Sequence, residues 1–219
     1  MRIVLFLFFC CGVPAAWSAP RVLVYGDSLS AAYGMPRNAG WPSLLERRLG
    51  EQRPPWRVAN ASVSGETSAG GLARLPALLD RLAPDLVILA LGANDGLRGL
   101  PTARMADNLR AMVRLAKGRG ARVLLVGMRL PPNYGSAYTR EFQDVFVRLA
   151  QQEDVPLVPF LLDGIATDPS WFQADGLHPT AEAQPRLLDT VWRGLAPLLA
   201  RQAAPIRASR PAASLRPGP

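Results

Sequence analysis

Cysteine and histidine are almost missing from this 219-residue sequence. Its two cysteines, Cys10 and Cys11, fall together in an amino-terminal apolar run, and its one histidine is His178. A chain cut after that run keeps no disulfide, no thiol nucleophile and no thiolate ligand. One histidine then leaves only carboxylates to hold a metal, so neither a metal nor a cofactor is expected. No stretch has the form of a phosphate-cradling glycine loop, and no internal repeat occurs. Basic runs interleaved with aromatics are missing too, which argues against nucleic acid as a partner despite the formal charge of +8. Four of the positive charges, Arg201, Arg207, Arg210 and Arg216, lie near the carboxyl end. The remaining arginines are spread out, as on a solvated surface, and are compatible with weak contact to an anionic membrane surface. A composition 49% hydrophobic and 19% charged is ordinary for a globular protein, and the length suits one domain with a sizeable core.

What is present at the amino end is a leader. Arg2 precedes the apolar run Ile3 to Cys11, and small residues Ala15 and Ala16 follow. The run is shorter than the roughly 20 residues of a membrane span, and Ala16-Trp17-Ser18 fits the small-x-small cleavage rule. Residues 1–18 therefore read as a signal peptide, with the mature chain starting at Ala19 in the periplasm or outside the cell. A retained anchor is the alternative. Export without disulfides fits a domain stabilised by its core alone. That domain is expected over 19–202, and the Arg, Pro and Ala of 203–219 read as a disordered tail.

Between these ends, strands and helices alternate. Val22 to Tyr25 is strand-like and runs into Gly26-Asp27-Ser28. Helix is predicted over Pro42 to Leu49, Leu72 to Leu82 (stopped by Pro84), Thr102 to Lys117 and Tyr138 to Ala150. A closing helix over Ala181 to Arg201 contains Pro185 and Pro197. Strands are predicted over Trp56 to Asn60, Asp85 to Leu91, Arg122 to Gly127 and, at an edge because of its prolines, Val155 to Phe160. This alternation predicts an α/β fold, a parallel sheet covered by helices on both faces.

Ser28 follows a strand at the carboxyl edge of that sheet, where ligands of open α/β sheets collect. Gly26 is the residue expected to allow the sharp turn that lifts the hydroxyl. A plain turn with a helix N-cap is the competing reading. Asp175-Gly176-Leu177-His178 changes the balance. A carboxylate three residues before a histidine can reach the imidazole, set its tautomer and leave the far nitrogen as a base. Its competing reading is an Asp-His pair capping the closing helix, with Pro179 in the first turn. Acyl transfer also needs donors for a developing oxyanion. Candidates are the backbone N–H of Ser28, the backbone N–H of Gly65 and the carboxamide of Asn94, each after a strand.

Gly26-Asp27-Ser28-Leu29, Gly65 after Asn60-Ala61-Ser62, Gly92-x-Asn94-Asp95 and Asp175-x-x-His178 resemble, in order, the four blocks of the SGNH (GDSL) hydrolases. Asn60 to Ser68, Gly71 to Pro76, Asn94 to Gly99 and Arg129 to Gly135 are similar to the bacterial periplasmic thioesterase I/lysophospholipase/arylesterase branch. The resemblance covers about Val22 to Leu199. Ala93, where relatives often carry glycine, and Glu66, where aspartate is frequent, depart from it. It implies a flavodoxin-like three-layer α/β/α sandwich with a parallel sheet of about five strands. It implies Ser28 as nucleophile, His178 as base, Asp175 orienting it, and an oxyanion hole of Ser28, Gly65 and Asn94. Implied substrates are acyl esters, thioesters and lysophospholipids. A monomeric chain without a cofactor is the separate expectation. The Gly-x-Ser-x-Gly elbow of the α/β-hydrolases is not matched, because Ser30 takes the fifth position.

Asp27 and Asp95 flank candidate catalytic positions and are expected to hold their loops through backbone hydrogen bonds, with Asp27 also a candidate substrate contact. Leu97, Arg129, Pro131, Asn133 and Tyr134 are candidates for the substrate groove, a rigid Pro-Pro turn being the alternative. Apolar loops at Leu97 to Leu100 and at Trp171-Phe172 could shelter an acyl chain. Two other functions stay open at this stage: deacetylation of sugars on the same core, and a catalytically silent lipid- or glycan-binding module.

Overall fold

The computed structural model describes residues 19–200. The expected signal peptide at 1–18 and the expected tail at 203–219 lie outside the described residues. In chain order the elements are β1 (Arg21–Gly26), α1 (Trp41–Gly50), β2 (Arg57–Asn60), α2 (Ser68–Leu82), β3 (Leu86–Ala90), α3 (Ala93–Leu97), α4 (Thr102–Gly118), β4 (Arg122–Val126), α5 (Ser136–Gln152), β5 (Leu157–Val158) and α6 (Gln184–Ala200). The five strands are all parallel, in the order β2-β1-β3-β4-β5. The expected three-layer α/β/α sandwich is the observed architecture.

The three central strands, β1, β3 and β4, carry apolar runs because neither of their faces is free. Successive side chains of a strand point to opposite faces. Leu23, Tyr25, Val87, Leu89, Val123 and Leu125 therefore meet α2, α4 and α5 on one side. Val22, Val24, Leu86, Ile88, Leu124 and Val126 meet α1 and α6 on the other. All twelve are buried, as a doubly covered parallel sheet requires.

Three local differences from the sequence expectations have physical causes. The last strand shrinks from Val155–Phe160 to Leu157–Val158, because Pro156 and Pro159 carry no N–H for the ladder. The closing helix starts at Gln184 instead of Ala181. Pro185 thus falls in its first turn, where a missing N–H breaks no helical bond. The loop expected after β3 folds as the short helix α3, closed by Gly96 N–H to Gly92 O at 3.0 Å and Arg98 N–H to Asn94 O at 3.2 Å.

The strand order decides where a site can form. β1 has β2 on one side and β3 on the other, so the connections leaving β1 and β3 diverge between them. Crevices at such a reversal are where open α/β sheets bind ligands. Ser28 leaves β1 and Asn94 leaves β3 at this point.

Candidate active site

The turn after β1 is forced by crowding. A Cβ at Gly26 would lie 2.8 Å from Ser30 Oγ and 2.9 Å from Ala90 O on the neighbouring strand. Gly26 is not among the residues with positive φ, so the need for glycine here is space, not the conformational freedom expected from the sequence. Ser30 N–H and Ala31 N–H both donate to Asp27 O, at 3.1 and 2.9 Å, and close the turn that presents Ser28. Trp41, fully buried, donates its indole N–H to Leu29 O at 3.2 Å and its backbone N–H to Gln184 Oε1 at 3.0 Å. The elbow is thereby tied to both α1 and α6.

His178 comes to Ser28 from the other end of the chain. Residues 171–180 fold back on themselves: Thr180 N–H donates to Trp171 O at 2.8 Å, and Gln173 N–H to His178 O at 2.7 Å. At the tip, Asp175 Oδ1 accepts the N–H groups of Leu177 and His178 at 2.9 and 3.0 Å. Its Oδ2 lies 2.7 Å from His178 Nδ1. On the far side of the ring, Nε2 is 2.9 Å from Ser28 Oγ. The helix-capping reading of the Asp-His pair fails, because α6 begins five residues after Pro179. The hydrogen bonds from the His178 and Leu177 backbones, then from the ring, hold the Asp175 carboxyl down at about 2. A carboxylate there stays ionised well below neutral pH and can balance an imidazolium.

The other two loops converge on the same rim. Gly65 has φ +76°, a conformation that L side chains rarely adopt, and its carbonyl accepts from Arg98 Nη2 at 2.9 Å. Glu66, paired with Arg74 Nε at 2.6 Å, anchors this loop to α2. Asn94 Nδ2 donates to Glu66 O at 3.0 Å and faces Asp27 Oδ2 at 3.4 Å. The carboxamide therefore bridges the Gly65 loop and the elbow. Asp95, beside it, is buried and accepts from Ser68 N at 2.7 Å and Ser68 Oγ at 2.5 Å. It sits at the amino end of α2, where a negative charge is favoured.

Asp27 is sealed beneath the elbow at 2% exposure, its Oδ1 accepting Leu29 N–H at 3.1 Å. That position suits a loop-holding role, not contact with substrate. Burial pushes its carboxyl up to about 6, against the opposing pull of Leu29 N–H and His178. A folded-state value above the ordinary 3.8 means that the protonated form is favoured on folding. This stability is fully present below about pH 4 and is lost as pH rises through 6. At pH 7 the penalty is at most about 3 kcal/mol. Asp27→Asn keeps an oxygen for Leu29 N–H but turns an amide nitrogen toward Asn94 Nδ2, so its melting temperature relative to wild type should be higher at pH 7 than at pH 4. Equal effects at both pH values would refute the assignment.

The groove candidates divide between the two faces of the sheet. Tyr134 OH donates to Leu97 O at 3.1 Å, and both side chains pack on the α2–α4–α5 side. Pro131 accepts from Tyr134 N–H at 3.2 Å and starts that short turn. Arg129 lies instead over the Phe160 ring at 5.0 Å and lines a cleft of about 320 Å³ beside β5. Trp171 and Phe172 pack on the α1–α6 side, opposite Leu97. Sequence reasoning missed Trp41 and Arg98. Their roles come from contacts across the fold, for which spacing along the chain carries no signal.

The sequence pattern described as the GDSL-like lipase/acylhydrolase family matches residues 24–185. Esterase TesA of Pseudomonas aeruginosa is 52% identical over 182 residues, covering 83% of this chain and 90% of that protein. A crystal structure of TesA superposes with a TM-score of 0.79 over 81% of this chain and 99% of that one. Thioesterase 1/protease 1/lysophospholipase L1 of Escherichia coli (strain K12) is 42% identical over 194 residues, or 89% and 92% of the two chains. A structure of the psychrotrophic esterase EstA from Pseudoalteromonas, inhibited by monoethylphosphonate, has a TM-score of 0.78 at 38% identity, covering 82% and 98%. The family match runs from β1 into α6 and includes each of the four loops at the rim, so this chain belongs to the GDSL-like lipase/acylhydrolase family.

Proposed function

We propose that this chain is an exported serine esterase that cleaves acyl esters and thioesters through an acyl-serine intermediate. Ser28 is the nucleophile, His178 the general base and Asp175 the carboxylate that orients it. The observation that carries the reading is the continuous line Ser28 Oγ, His178 Nε2, His178 Nδ1, Asp175 Oδ2, with steps of 2.9 and 2.7 Å between residues. With Nδ1–H held by Asp175, Nε2 is free to accept the hydroxyl proton as Oγ attacks the substrate carbonyl. The carbonyl oxygen becomes an oxyanion and takes hydrogen bonds from Ser28 N–H, Gly65 N–H and Asn94 Nδ2, the last by giving up its long contact to Asp27 Oδ2. Collapse expels the alcohol or thiol, which leaves with the proton from the imidazolium. Water then repeats the sequence on the acyl-enzyme and releases the acid.

Substrates with an apolar acyl chain, lysophospholipids among them, suit the rim. Val63 and Leu177 are large apolar residues left 45% and 47% exposed. Leu177 precedes His178 in the loop that presents it, and Val63 N–H donates to Gly26 O at the elbow. The reading also takes the chain as a monomer that needs no cofactor. A fluorophosphonate probe tests it: one label per chain is expected, on the peptide that holds Ser28. Labelling elsewhere, or none, overturns it.

A further inference from the structure

The His178 ring turns about its Cβ–Cγ bond, and rotation there lengthens both the Asp175 contact at Nδ1 and the Ser28 contact at Nε2. A side chain packed on the face of the ring resists such rotation, and Tyr33 lies against it. The Tyr33 ring centroid is 4.3 Å from that of His178, with the planes 33° apart. This is slightly closer than the roughly 4.5–7 Å usual for aromatic pairs. Tyr33 is 49% exposed, so the ring has not been drawn there by burial in the core.

The backbone around Tyr33 is built to hold it in place. Ala32 has φ +60° and Gly34 φ +71°. An alanine in the left-handed region is strained, and such strain persists only where the surroundings impose it. Gln173 supplies that restraint. Its side-chain Nε2 donates to Tyr33 O at 2.9 Å and to Pro179 O at 3.1 Å, using both N–H groups of one carboxamide. Its backbone N–H donates to His178 O at 2.7 Å. One glutamine thus ties the carbonyls of His178 and of the residue after it to the carbonyl of Tyr33, across 140 positions of sequence.

We propose that Tyr33, clamped by Gln173, is the positioning residue that fixes the plane of the His178 imidazole and keeps Nε2 in line with Ser28 Oγ. The aromatic face also favours the imidazolium that forms when the proton moves. This inference rests on the catalytic reading of Ser28 and His178.

The experiment separates the two. His178 is the single histidine of the chain, so its imidazole C–H resonances in a histidine-labelled sample report on one ring. Wild type and Tyr33→Phe should show the same ring-current-shifted signals, and Tyr33→Leu should lose the shift. In ester hydrolysis, Tyr33→Phe should keep kcat within about twofold. Tyr33→Leu and Gln173→Ala should lower kcat about 10-fold, a fraction of the roughly 100-fold that an ångström of misplacement can cause. KM for a p-nitrophenyl acetate substrate should stay within about twofold. Unchanged kcat in Tyr33→Leu, a loss confined to KM, or a Phe variant no better than Leu would overturn the proposal while fluorophosphonate labelling of Ser28 persists. Absence of that labelling in wild type would overturn the catalytic reading and this inference with it.

Discussion

Ser28→Ala is expected to fold as the wild type does and to lose turnover by about 10⁴-fold or more. The hydroxyl is half-buried at the rim and its one side-chain partner is His178. Removing it disturbs no core packing, so the melting temperature should move little. Everything else needed to bind an ester remains, including the oxyanion donors and the apolar rim. The defect should therefore fall on kcat, with ligand affinity retained. Because Ser28 and His178 act in one proton transfer, Ser28→Ala combined with His178→Ala should be no slower than Ser28→Ala alone. Steady-state kinetics on p-nitrophenyl esters checks both statements. Turnover near the wild-type level in Ser28→Ala would mean that another group carries the chemistry.

Asp175→Asn should cost about 1000-fold in kcat. The substituted side chain keeps one oxygen, enough to accept the Leu177 and His178 N–H groups that shape the turn. The atom facing His178 Nδ1 becomes an amide nitrogen, which donates where the carboxylate oxygen accepted. The ring must then hold its proton on Nε2, and an N–H cannot take a proton from Ser28. A buried triad carboxylate replaced in this way loses about 10⁴-fold. Asp175 is 39% exposed at its side chain, so water can share the Nδ1 position and the loss falls toward the lower end. A kcat within about 10-fold of wild type would show that Asp175 does not set the tautomer.

Much of this site can be read from local residue pattern. Val22 to Gly26, Leu86 to Ala90 and Arg122 to Val126 are strands because both of their faces are covered, and a covered strand shows as an apolar run whatever its neighbours. Ser28 at a strand end and Asp175 three residues before His178 are equally local. The reading loses accuracy where short-range pattern competes with backbone chemistry. Prolines shortened β5, and α6 started late because the residues after His178 serve the loop that presents it.

The residue order by itself determined the layers, the strand-end position of the serine and the pairing of Asp175 with the only imidazole. Only the tertiary structure decided that β1 lies beside β3, which brings Asn94 over Asp27, and that His178 meets Ser28 across 150 positions with Tyr33 against its face. The physical reason is range. Hydrophobic periodicity and turn chemistry act over a few residues. The contacts that seal Asp27, strain Ala32 and clamp Gln173 form between segments that meet only after the sheet has closed.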